Sequence, residues 1–128
     1  MAQDKIVLVV EDERPLLEAI SKKLESQGIL AVTARSVDQA ASYLEDVKGV
    51  NLIWLDHYLL GPKDGIDFVN DLKRDAYKKD IPIFVVSNTA SPDKRDEYIK
   101  LGVDRVYTKA DYKLDDIIKE IKLFLEKK

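Results

Sequence analysis

Apolar residues in this chain cluster in two ways. Short runs rich in β-branched side chains stand at Ile6-Val7-Leu8-Val9-Val10, Leu52-Ile53-Trp54-Leu55 and Ile83-Phe84-Val85-Val86, with a fourth from Val103 to Tyr107. Runs of this length and composition predict strands of a buried parallel sheet. Between them, apolar residues recur at spacings of three and four, the mark of a helix with one buried face. Leu17, Ile20 and Leu24 make one such face, Val37, Ala40, Ala41 and Leu44 a second, and Phe68, Val69 and Leu72 a third. The clearest is the last, with Leu114, Ile117, Ile118, Ile121 and Leu125.

The ends of these helices carry start and stop signals. Pro15 suits the first turn of a helix, and Gly28 suits its C-terminal stop. Ser36 with Gln39 three residues on predicts a capping box. Asp64-Gly65 opens a third helix and Ser91-Pro92 a fourth. Asp93 to Lys100 offers only Tyr98 and Ile99 as large apolar groups, so the fourth helix is expected to be loosely held. With the four runs and five helices, and one further strand between the first two helices, the order is read as strand then helix five times over. Right-handed crossovers turn such an order into a flavodoxin-like α/β three-layer sandwich, a doubly wound (βα)5 unit with parallel sheet order 2-1-3-4-5. At 128 residues, the stretch 1–128 is read as one domain.

The polar residue that ends each apolar run gives the chain its chemistry. The first runs into Glu11-Asp12, the third-strand run into Asp56, the next into Ser87, and the last into Thr108-Lys109. Ligands of open α/β sheets bind beyond the carboxyl ends of the strands, and the first and third strands flank the point where strand order reverses. Three acids, a hydroxyl and an ammonium therefore converge on one crevice. Two carboxylates about 4 Å apart repel by roughly 4 kcal/mol at an effective dielectric of about 20. The crevice thus calls for a cation, and the natural occupant is Mg²⁺, with Mn²⁺ as the substitute. A carboxylate can also attack phosphorus to form an aspartyl phosphate. Asp56 stands alone at its strand end and is the candidate nucleophile, while Glu11 and Asp12 form the metal-holding pair. Ser87 and Lys109 are placed to take one phosphoryl oxygen each.

Composition changes this picture only by exclusion. The net charge of −3, with acids and bases interspersed, gives no support for a nucleic-acid surface. There is no cysteine, hence no disulfide or thiolate metal site. Neither a secretory signal nor an apolar run of membrane-spanning length is evident, so no membrane association and a cytoplasmic location are expected.

With those residues in place, the chain from Lys5 to about Leu125 resembles the receiver domain of two-component response regulators. The resemblance rests on the acidic pair after the first strand, the acceptor Asp after the third, Ser after the fourth and Lys after the fifth. It implies that Asp56 accepts phosphate from a sensor histidine kinase or phosphotransfer protein, with Ser87 and Lys109 sensing the product. It also implies a metal held by Glu11, Asp12, Asp56 and the backbone carbonyl of Tyr58, Asp12 being the direct ligand of the pair. Such a domain catalyses only its own phosphorylation and dephosphorylation, and signals to a downstream effector or to an output domain absent from this chain. The sequence departs from the family in its longer loop Leu59-Leu60-Gly61-Pro62-Lys63, in Asn88 after the Ser, in Val106 where an aromatic switch residue is usual, and in Ala110 where proline usually follows the Lys. Signalling is therefore expected to proceed without an aromatic rotation, with Tyr107 on the opposite face of its strand.

Blander readings compete with these. His57 reads as a packed or hydrogen-bonded imidazole and Trp54 as sheet packing. A flavodoxin-like cofactor protein would not place Glu11-Asp12-Glu13 in its phosphate loop, and a haloacid dehalogenase phosphatase needs an acid where Tyr58 stands. The remaining alternative is a pseudo-receiver, a protein-interaction module of the same fold that is never phosphorylated. Tyr58 and Thr89 are placed to border the approach of a hydrolytic water, and neither suits its activation, so slow loss of the phosphoryl group is expected.

Overall fold

The computed structural model describes residues 4–88 and 91–127. Five strands and five helices alternate: β1 (Lys5–Val10), α1 (Arg14–Ser26), β2 (Ile29–Ala34), α2 (Val37–Asp46), β3 (Leu52–Leu55), α3 (Gly65–Lys73), β4 (Ile83–Ser87), α4 (Pro92–Lys100), β5 (Arg105–Thr108) and α5 (Leu114–Glu126). The sheet is parallel throughout, in the order β2-β1-β3-β4-β5. The expected topology is thus the observed one. The last strand begins at Arg105, two residues later than the apolar run from Val103, because Asp104 uses its carboxylate and amide to close the start of β4 instead. Its Oδ1 accepts from Ile83 N at 3.0 Å, and its N donates to Ile83 O at 2.9 Å.

Alternation along each strand builds two cores. Val7, Val9, Trp54, Phe84, Val86 and Tyr107 face α1 and α5, where they meet Leu17, Ile20, Leu24, Ile117, Ile121 and Leu125. Leu8, Val10, Ile53, Leu55, Ile83 and Val85 face the other way, against Val37, Ala40, Leu44, Phe68, Val69, Leu72 and Tyr98. Because β1 and β3 are covered on both sides, their apolar runs are continuous rather than alternating. Burial of this kind contributes about 25 cal/mol per Å² of apolar surface, which is why the central strands tolerate no polar residue until their ends.

The helix signals read from sequence are mostly realised. Pro15 sits in the first turn of α1, and Gly28 after it has φ +79°, a backbone conformation that favours glycine. Ser36 accepts from Gln39 N, but the return arm of the expected box lands one residue early, Gln39 Oε1 accepting from Arg35 N at 2.6 Å. The complete box is at α3, where Asp64 and Asp67 exchange side-chain and backbone bonds of 2.9 and 3.0 Å. Helix α4 buries Tyr98 alone among its described residues, and Ile99 is exposed.

Candidate phosphoacceptor and metal site

Backbone pairing continues one residue past the central strands and fixes the two acids there. Glu11 N donates to Ala34 O at 3.0 Å, and Asp56 N donates to Val10 O at 2.9 Å. These bonds leave both side chains at the carboxyl edge of the sheet, on either side of the reversal point. Asp12, the next residue in the loop, joins them: one carboxylate oxygen from each of Glu11, Asp12 and Asp56 lies within 4.8 Å of the others. Glu11 is fully buried and Asp56 nearly so, whereas Asp12 is half-buried.

Lys109 closes the group from the far side. Its Nζ is 2.7 Å from Glu11 Oε1 and 3.4 Å from Asp56 Oδ2. It is reached by β5 and a short turn, Lys109–Asp111, that follows the strand directly. Burial pushes the Glu11 carboxyl up to about 7, with the charge of Asp56 acting in the same direction and the Lys109 hydrogen bond against it. Burial opposes the Lys109 charge, but its bonds to Glu11 and the nearby Asp56 more than offset that, and its pKa is raised. An ammonium held charged between two carboxylates is suited to a developing anion.

Ser87 ends β4, is buried, and lies level with Thr108 in the β4–β5 register. It therefore shares the edge on which the acids and Lys109 stand. Tyr58 lies in the loop between β3 and α3 with its side chain largely exposed, and Thr89 lies outside the described residues. Val106 packs on the α2–α4 face and Tyr107 on the α1–α5 face, as strand alternation requires. The Tyr107 hydroxyl donates to Glu120 Oε1 at 2.8 Å.

His57 and Trp54 are structural, as their positions implied. Trp54 is fully buried in the α1–α5 core. His57 is buried, and its backbone N donates to Asp56 Oδ1 at 2.8 Å while its Nδ1 pairs with the Tyr98 hydroxyl at 2.6 Å. This pairing explains Gly65: a Cβ there would stand 2.2 Å from the Tyr98 oxygen and 3.0 Å from the Asp56 carbonyl. From sequence, Tyr98 is only an apolar group of the fourth helix and Gly65 only the start of the third. The signal available was a lone tyrosine on a helix with Ile99 as its one other large apolar residue.

Residues 7–122 match the family model of the response regulator receiver domain. The chain belongs to that family. It is 35% identical over 105 residues to the phosphate regulon transcriptional regulatory protein PhoB of Pseudomonas aeruginosa, covering 82% of this chain and 45% of the relative. It is 31% identical over 103 residues to the nitrogen assimilation regulatory protein NtrX of Azorhizobium caulinodans, covering 80% of this chain and 22% of that one. The chain therefore spans less than half the length of these relatives. Among solved structures, a response regulator receiver protein from Pseudomonas putida superposes with TM-score 0.88 at 27% identity, covering 96% of this chain and 99% of that one. The phosphorylated cyanobacterial phytochrome response regulator RcpA does so with TM-score 0.84 at 27% identity, covering 96% and 94%. The receiver-domain assignment is consistent with two-component signalling, and the all-oxygen trio of Glu11, Asp12 and Asp56 is suited to a divalent cation.

Proposed function

We propose that Asp56 accepts a phosphoryl group from a phosphohistidine of a sensor kinase or phosphotransfer protein, in a Mg²⁺-dependent reaction that Lys109 and Ser87 assist. The observation that carries this reading is the convergence of three carboxylates and one ammonium at the switch point of the sheet. A bond forms between an Asp56 carboxylate oxygen and phosphorus, the phosphorus–nitrogen bond of the donor breaks, and the departing imidazole takes up a proton. The His57 amide holds Asp56 Oδ1, so the carboxylate is oriented before the donor arrives. Lys109, already 3.4 Å from Asp56 Oδ2, pairs with one phosphoryl oxygen, and the Ser87 hydroxyl donates to another.

The donor set fits the metal: three carboxylates, one of them half-buried and open to the loop surface. Glu11 has Oε1 engaged by Lys109 and Oε2 accepting from Glu13 N, which favours Asp12 and Asp56 as direct ligands with Glu11 acting through water. The Tyr58 carbonyl would complete the set. When bound, Mg²⁺ or Mn²⁺ supplies positive charge to the acids and to the phosphoryl oxygens. RcpA, which shares this fold, is known in a phosphorylated form, and that supports the reading.

On this reading the chain catalyses only its own phosphorylation and dephosphorylation, acts in the cytoplasm, and passes its state to an effector protein or to an output segment outside this sequence. Its mixed surface charge supports contact with proteins rather than nucleic acid. No described helix is long and apolar enough to cross a membrane. The test is phosphate-affinity electrophoresis after acetyl phosphate, with and without Mg²⁺, followed by mass spectrometry. A single label at Asp56, absent from Asp56→Asn and from metal-free protein, is expected. An unlabelled protein that folds and binds a kinase would instead be the interaction module.

A further inference from the structure

We infer that Arg35 is a positioning residue for the metal site, holding together the two loops that carry its ligands; this rests on the metal-binding reading above. Arg35 follows the last residue of β2 and is half-buried. Its guanidinium grips one atom, the backbone carbonyl of Asp12, through Nε at 3.1 Å and a terminal nitrogen at 2.8 Å. Its own carbonyl accepts from Leu60 N at 3.2 Å, in the loop that begins with Asp56, His57 and Tyr58. Its amide is held by Gln39 Oε1 at 2.6 Å, so the residue is anchored on α2 at the same time.

The consequence lies in geometry rather than charge. Asp12 is the only member of the acidic trio beyond the backbone ladder of the sheet, since Glu11 and Asp56 are fixed by Ala34 and Val10. A guanidinium fork on its carbonyl supplies the missing restraint and sets the direction of its side chain. Mg²⁺ demands near-ideal octahedral placement, so a restraint of this kind is felt in affinity. A planar fork makes both bonds from one rigid group, which a lysine ammonium on a flexible stem does not reproduce. Groups that orient a metal ligand typically alter affinity about 10- to 100-fold when removed.

The experiment is calorimetric titration of Mg²⁺ into wild type, Arg35→Lys, Arg35→Ala and Ser36→Ala, with thermal unfolding of each. Both Arg35 variants are expected to bind about tenfold more weakly. Ser36→Ala removes a helix cap in the same turn and should lower stability while leaving the affinity unchanged. Hydrogen exchange in metal-free protein should quicken at the amides of Glu13 and Leu60 in Arg35→Ala. Wild-type affinity in both Arg35 variants overturns the inference, as does full rescue by lysine, which would make charge the cause. Equal weakening in Ser36→Ala overturns it too, by showing general loosening of the loop. Wild-type protein that binds no Mg²⁺ overturns the metal-binding reading itself, and the inference with it.

Discussion

Glu11 is the one described carboxylate whose protonation is moved far by the fold, and its consequence runs opposite to that of an ordinary ion-paired acid. Burial raises it from 4.5 to about 7, so between those values the native state binds a proton that the unfolded chain releases. Stability of the metal-free protein should therefore fall as pH rises from about 4.5 to about 7, by on the order of 2 kcal/mol. Urea unfolding across that range measures it, and Glu11→Gln should flatten the profile. Lys109 acts outside this window, because its pKa is raised from a value already above 10. A second consequence concerns the lifetime of the phosphoryl group. Tyr58 is bulky, carries no carboxylate or amide to orient a water, and leans edge-on against His57 with ring centroids 4.7 Å apart. Loss of phosphate should be slow, and Tyr58→Asn should shorten the half-life several-fold, read by following the label after the donor is removed.

Helix α4 is attached to the sheet differently from its neighbours. Its neighbour α3 buries a row of apolar side chains, whereas α4 buries Tyr98, whose hydroxyl pairs with His57 next to Asp56. Elements with a thin buried face open most readily. Beryllofluoride with Mg²⁺ should therefore change hydrogen exchange most across Pro92–Lys100, and Tyr98→Phe should speed exchange there before any ligand is added. Tyr107, held by Glu120 and stacked edge-on against Tyr112, should keep its rotamer, so an exchange response in α1 instead of α4 would refute this coupling. Gly65, at the start of α3, has no room for a methyl group beneath the Tyr98 hydroxyl. Gly65→Ala should cost about 1–3 kcal/mol. In a Tyr98→Phe background the cost should be smaller, because one of the clashing atoms is gone, and equilibrium unfolding of the four proteins in the cycle measures the difference.

The two cores lie on opposite faces of one sheet, and the acidic site sits at its edge, outside both. Loading the site should thus stabilise the protein without repacking it. Mg²⁺ at about 100 times its dissociation constant should add about 2.7 kcal/mol and raise the melting temperature by several degrees. Asp12→Asn should remove most of that gain. A calorimetric scan with Mg²⁺ and with a chelator checks both, and an equal melting temperature in the two would count against a metal at this site.

The order of strands and helices, the sheet topology and the gathering of Glu11, Asp12, Asp56 and Lys109 at one edge of the sheet, with Ser87 on the same edge, were legible from the sequence. Each depends on periodicity within a short run or on the residue that ends it, and both are properties of a line. The same rule at β2 leads to Arg35, which escapes notice because Ile29–Ala34, broken by Thr33, does not stand out as a continuous apolar run. Only the folded chain shows that its guanidinium reaches Asp12, 23 residues away, or that His57 meets Tyr98 across 41. Those contacts depend on how loops close over the sheet, and loop closure is decided by packing between elements distant in sequence. The division between buried Glu11 and accessible Asp12 has the same origin: adjacent in the chain, they differ because one still belongs to the backbone ladder and the other has left it.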